Sequence, residues 1–193
     1  MHESLFYLPG AVLSQPELNA ARLDGLLCEV GAGYMPADIP ETSGARIRSL
    51  EPFLLPGFAA SGPTAAWVHG IGNLPPLRHH LQRTADRRPR FSAQRDVIVH
   101  ESRLPPEDIA MIEQVPVTSL PRTLIDLVLY ADRYEECLVW MRLLAAEMPA
   151  LLAPVREHLR GRPRLPGRRA ALAYVDELSG AASHFARHED VTR

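Results

Sequence analysis

From residue 119 onward the sequence repeats one arrangement: a capping residue or proline, then an apolar stripe at helical spacing. Ser119 precedes Pro121, and Leu124, Leu127, Val128 and Ala131 follow at i, i+3, i+4 and i+7, so one helix face is apolar. Asp132-Arg-Tyr-Glu135 has the form of a capping box for a second helix, which sets Tyr134, Cys137, Leu138, Met141, Leu144 and Ala145 on one side. Pro149 opens a third helix to about residue 159; residues 168–178 make a fourth, with a turn at Ser179-Gly180 and a tail over 181–190 that can also be helical. Helices that are apolar on one face must bury it against one another, so this half is a helical bundle. Val139, Trp140 and Leu143 fall off the main stripe. They give helix 133–147 a second apolar face for a protein partner or a second copy.

The residues before 119 read as short elements. Ser14-Gln-Pro-Glu17 is a capping box with proline in the first turn, and Gly25 stops the helix near Asp24. Residues 26–30 and 34–36 read as strands around the tight turn Gly31-Ala-Gly33. Helix plus hairpin is the closing half of a winged helix-turn-helix, but residues 1–13 are too few for the preceding helices, so residues 1–55 read as a reduced winged-helix-like segment. Thr42 or Ser43 caps a helix to about Glu51, ended by Pro52 and Pro56. Phe58-Ala-Ala60 reads as a strand, and Ser61 caps a helix that carries Trp67 and His69 and closes at Gly70. Residues 78–83 and 95–101 read as strands joined by the arginine-rich stretch 84–94, a hairpin with a basic tip; residues 109–117 add one more short strand. The expected class is α+β: a reduced N-terminal helix-plus-wing element, then over 56–193 a small mixed sheet with a basic hairpin and a C-terminal helical bundle.

Charge narrows the function. The 21 basic residues are all arginine, with no lysine. A Walker-A phosphate loop, a lysine Schiff base and a protein-kinase site are therefore excluded. Net charge is −2, but it is distributed in blocks. One basic island holds Arg83, Arg87, Arg88, Arg90 and Arg95, with Arg78, His79 and His80 just before it; a second holds Arg156, Arg160, Arg162, Arg164, Arg168 and Arg169. Residues 1–60 and 96–150 are acidic. Arginine forks suit phosphate and guanine contacts, and the two islands would make one electropositive face if the fold joined them.

Candidate chemistry is sparse. Cys28 and Cys137 belong to no metal-spaced motif, and the N-terminus lacks a secretory signal, which points to a reducing cytoplasm. Residues 138–155 are apolar but contain Arg142, Glu147 and Pro149, so no membrane span is expected. His184-Phe-Ala-Arg-His188 puts two imidazoles four apart without the Glu that a zinc protease needs after the first His, and reads as a solvated tail. Trp67 reads as a core anchor and His69 as a satisfied core histidine. Arg122 and Asp126, four apart on an otherwise apolar helix, read as structural braces to neighbouring elements. GxSxG, HExxH and a complete dinucleotide fingerprint are missing, so no enzyme, no cofactor and no metal is expected.

Taken in order, several blocks resemble one family. They are Glu17-Leu18 with Leu23-Asp24-Gly25, Val30-Gly31 with Tyr34-Met-Pro36-Ala-Asp38, and Thr64-Ala-Ala-Trp67-Val-His69-Gly70. After them come Ser102-Arg-Leu-Pro-Pro106-Glu-Asp108, Val117-Thr-Ser-Leu-Pro-Arg122-Thr-Leu-Ile-Asp126 and Pro166-Gly-Arg-Arg169. The chain thereby resembles actinobacterial AbiEi-family antitoxin-like proteins along nearly its whole length. The resemblance implies a cytoplasmic DNA-binding regulator that represses its own promoter through a winged helix and neutralises a nucleotidyltransferase toxin, without requiring direct toxin contact. Here the expected reading helix, residues 17–24, offers DNA only Arg22 and Asn19. Phosphate contacts are therefore expected from Arg22, Arg83, Arg87, Arg88, Arg90, Arg95, Arg168 and Arg169.

Overall fold

The structure, a computed structural model, describes residues 6–87 and 94–189. Helix α1 (Gln15–Leu23) starts at the expected box: Ser14 N donates to Glu17 Oε2 at 2.7 Å. Strands β1 (Leu27–Val30) and β2 (Gly33–Pro36) pair as the expected antiparallel hairpin. Tyr7 adds an antiparallel bridge to Tyr34, and residues 6–13 form no helix before α1. Helix α2 (Ser43–Ser49) is capped by Thr42, whose Oγ1 accepts from Ala45 N at 3.2 Å. Ile47 and Leu50 are buried in the same cluster as Trp67, Leu124 and Met141, so the N-terminal segment and the helical half share a core.

The larger sheet has five strands in the order β5-β4-β3-β7-β6. They are β3 (Phe58–Ala60), β4 (His79–Arg83), β5 (Val97–His100), β6 (Ile109–Ile112) and β7 (Val115–Thr118). Helix α3 (Gly62–Val68) leads from β3 and is buried along its length. The expected basic hairpin is not formed: β4 and β5 pair in parallel, with His79 opposite Val97 and Gln82 opposite His100. A tight tip would force antiparallel pairing, but the long arginine-bearing connection lets the chain return to the start of β4 before β5 begins. His79 N bonding Asp96 O at 2.7 Å fixes that return. Residues 109–118 form two strands rather than one, because Glu113 (φ 48°) and Gln114 (φ 65°) take the left-handed turn usually filled by Asn-Gly.

The helical half is α4 (Leu120–Tyr130), α5 (Glu135–Glu147), α6 (Leu152–Arg160) and α7 (Arg168–Glu189). The stripe on α4 is buried as expected. Two boundaries differ. The expected box at Asp132 does not form: residues 131–133 close α4, Tyr134 precedes α5, and Asp132 Oδ1 instead accepts from Tyr174 OH at 2.6 Å. The turn expected at Ser179-Gly180 is absent. Ser179 Oγ donates to Val175 O at 2.7 Å within a continuous α7. One glycine costs a helix only about 1 kcal/mol, less than the packing of Ala171, Val175 and Leu178 supplies. No single helix among the described residues is long and apolar enough to cross a membrane.

Candidate nucleic-acid interface

Helix α1 and the β1–β2 hairpin turn their polar side chains on each other. Gln15 Nε2 donates to Tyr34 OH at 2.6 Å, and Tyr34 OH donates to Asn19 Oδ1 at 3.0 Å. Arg22 Nε lies 3.3 Å from Glu29 Oε1 on β1. The two side chains that α1 offers for base reading, Asn19 and Arg22, are thus tied to the hairpin beside them.

The first basic island divides. Arg83 is a brace: its guanidinium donates to the carbonyls of Glu101 (2.9 Å), Ala85 (3.0 Å) and Asp86 (2.9 Å), closing the exit from β4. Arg103, outside the island, joins the same corner through Asp86 at 2.7 Å. Arg87 and Arg95 are exposed at the two ends of the connection, while Arg88 and Arg90 lie outside the described residues. His79 and His80 do not extend the island. They are buried on β4 at 8% and 0% exposure, and burial holds them neutral, with pKa values of about 4 and about 3.

The second island is largely surface. Arg160, Arg162, Arg164 and Arg169 are exposed, whereas Arg156 pairs with Asp176 at 2.8 Å. Arg168 Nε donates to Leu159 O at 2.7 Å, tying the start of α7 to the end of α6. Gly167 takes φ 75°, a conformation open to glycine, to make this corner. Arg168 and Arg169 line an open depression of about 630 Å³ with Pro163, Leu165 and Gly167 at the N-terminus of α7.

The sequence-predicted braces hold three layers together. Arg122 Nε donates to Asp126 Oδ1 and its NH1 to Asp108 Oδ2, each at 2.8 Å, so one guanidinium joins α4 to the entry of β6. Burial raises the Asp126 carboxyl to about 6 against the pull of Arg122, and among the described residues its Oδ2 has no hydrogen-bond partner. Burial also works against the charge of Arg122, but Asp126 and Asp108 hold its pKa above the usual value. His69 Nε2 meets Thr118 O at 2.7 Å, linking α3 to β7. Trp67 is fully buried, and Arg46 reaches over its ring while donating to Trp67 O at 2.6 Å. Arg46, also bonded to Glu41, is a brace that charge counting alone did not single out.

A buried polar layer was also missed. His80 Nδ1 and His100 Nε2 are 3.0 Å apart and share one proton. Tyr130 stacks on His100 at 4.4 Å between ring centres, and Tyr134 meets both histidines edge-on. Gln82 Nε2 donates to Ser102 Oγ at 3.1 Å, and His80 N to Thr64 Oγ1 at 2.8 Å. Histidines in a strand carry no periodic mark of burial, so only the packing of α4 and α5 over β4 and β5 reveals the layer. Among the described residues no group of three or more His, Cys, Asp or Glu is arranged to hold a metal ion. The His184 and His188 side chains lie outside the described residues.

No curated protein matches the chain. Among solved structures, the chain is similar to the crystal structure of the RV2827C protein from Mycobacterium tuberculosis, with 16% identity and a TM-score of 0.45. The likeness covers 87% of this chain but 66% of that one, so this chain spans under two thirds of its length. Residues 58–162 match the AbiEi antitoxin C-terminal domain. They run from the first strand of the mixed sheet to the corner after α6, and take in the braces at Trp67, His69, Arg122 and Asp126. Over more than half of its length, therefore, this chain belongs to the AbiEi antitoxin C-terminal domain family.

Proposed function

We propose that the protein is a non-catalytic, DNA-binding regulator of the antitoxin type, which grips its own promoter mainly through phosphate contacts. The observation that carries this reading is the division of labour among the arginines. Those of the α1 region and Arg83 are occupied within the fold, whereas Arg87, Arg95 and Arg169 are exposed on segments that flank the sheet and open α7. Exposed arginines beside a helix N-terminus suit phosphate oxygens. Arg88 and Arg90 belong to the first of these segments and are assigned with it, whereas Arg168 braces the start of α7. Family membership supports a toxin as functional partner; we propose that this toxin is a nucleotidyltransferase and that the setting is the cytoplasm.

Mobility shifts with promoter DNA at several salt concentrations test the proposal. Changing Arg87, Arg95 and Arg169 together to Ala should weaken binding and flatten the log–log salt dependence by up to about 3 units, roughly 0.9 per lost phosphate contact. No retardation at micromolar protein in low salt refutes it. A second reading, a protein-interaction module without DNA binding, is supported by the solvent face of α5, where Val139 and Leu143 are 55% and 39% exposed. Trp140, expected on that face, is buried in the fold at 7% exposure, where a Cβ at Gly72 would meet its ring at 3.4 Å.

A further inference from the structure

The exposed stripe on α5 continues sideways into the loop between α3 and β4. Val139 and Leu143 are exposed on α5, and Leu74 and Leu77 of the loop are 78% and 91% exposed. Two contacts place the loop against the helix. A Cβ on Gly72 would stand 3.4 Å from the Trp140 ring and 3.8 Å from Leu143, and Leu77 N donates to Glu136 Oε1 at 2.8 Å. A contiguous apolar surface of this kind, with charged residues at its edge, is the form of a contact surface.

The charges along α5 indicate what covers it. Glu135 and Arg142 are both exposed on the face that carries Val139. Seven residues apart, they sit two turns from each other, about 10 Å along the axis, with Val139 between them. Among the described residues Arg142 has one long ion pair, 3.8 Å to Glu177, with both side chains more than 60% exposed. The order acid, apolar, base along one helix face is self-complementary under a two-fold axis. An antiparallel copy centred between Leu138 and Val139 sets Glu135 opposite Arg142 of the second copy at both ends, with the two Val139 residues offset by only about 1.5 Å along the axis. A parallel copy in the same register would instead set acid on acid and base on base.

We propose that the chain forms a two-fold homodimer through antiparallel α5 helices, with Leu77 and Leu143 closing the flanks of the contact. This names the occupant of the α5 face raised above and stands independently of DNA binding. One short helix and one loop per protomer make a small interface, so the dimer dissociates in the micromolar range.

Sedimentation velocity on the full chain from about 1 to 500 µM brackets that range. A monomer–dimer equilibrium is expected. Glu135→Arg and Arg142→Glu should each weaken it by roughly tenfold or more, since each turns two attractions into two repulsions. The double variant Glu135→Arg/Arg142→Glu should recover affinity to within a few-fold of the parent, a result that misfolding cannot produce. Val139→Glu, checked for unchanged circular dichroism, should leave only monomer. A monomer at every concentration overturns the proposal. So does a dimer insensitive to both single reversals, or a double variant as weak as the singles. A monomer that instead binds a different protein through this face also overturns it.

Discussion

Lowering the pH from 7 to 5 probes the buried histidine layer directly. His79 and His100 titrate at about 4 and His80 at about 3, in each case chiefly because burial disfavours the charged ring. In the unfolded chain each returns to about 6.5. The unfolded state therefore binds protons first as the pH falls. The stability these rings confer is complete above pH 6.5, declines below it, and is fully lost only under about pH 3 to 4. At pH 5 each histidine costs about 2 kcal/mol relative to pH 7. Asp126 works in the opposite sense. Its carboxyl, raised to about 6 by burial, takes up a proton in the folded state first and offsets about 1 kcal/mol. Glu136, also raised by burial, acts in the same direction. The net loss is of the order of 4 kcal/mol, a large share of the roughly 5–15 kcal/mol that holds a domain folded. Urea unfolding followed by tryptophan fluorescence at both pH values reads this as a lower midpoint at constant slope. His79 packs against Phe53 with ring centres 4.4 Å apart and the planes tilted by 41°. His79→Phe should therefore fit the site and remove about a third of the histidine pH dependence. Equal midpoints at pH 7 and 5 would refute the reasoning, as would a His79→Phe variant with the parent's pH slope.

Two further outcomes follow from the core. Arg122→Met leaves Asp126, at 2% exposure, without its cation and should cost about 3–5 kcal/mol by urea denaturation. Adding Asp126→Leu should restore part of that loss, and strictly additive single effects would contradict the brace. Burial pushes the Cys137 thiol up to about 12, whereas Cys28 is half-buried. An aromatic disulfide reagent should label one thiol in the native protein and two in denaturant, and equal native rates for both would count against the packing of α5.

Three helix starts expected from local chemistry are found in the structure. Ser14 with Glu17, Thr42, and Pro121 after Ser119 each announce a helix start, because cap and proline geometry act within one turn of chain. The stripe on α4 is legible for the same reason: apolar spacing at the helical period has one way to be buried. The box at Asp132 misled, because its side chain had a stronger partner in Tyr174, forty-two residues away. The histidines beside Arg78 looked like part of a basic surface, because sequence shows charge type but not exposure.

Taken alone, the sequence determined that any positive surface here is built from arginine. It also indicated where α1, α2 and α4 begin, which face of α4 is buried, and the α+β class, all properties of composition and of a few residues' spacing. The tertiary structure decided the direction in which β5 runs beside β4, which arginines are braces and which face solvent, and that four polar side chains of those strands, His79, His80, Gln82 and His100, lie inside. Those outcomes depend on which distant groups meet, and no local pattern encodes that. A parallel return needs only a long enough connection, and a guanidinium is occupied or free according to the carbonyls and carboxylates that the completed fold brings to it.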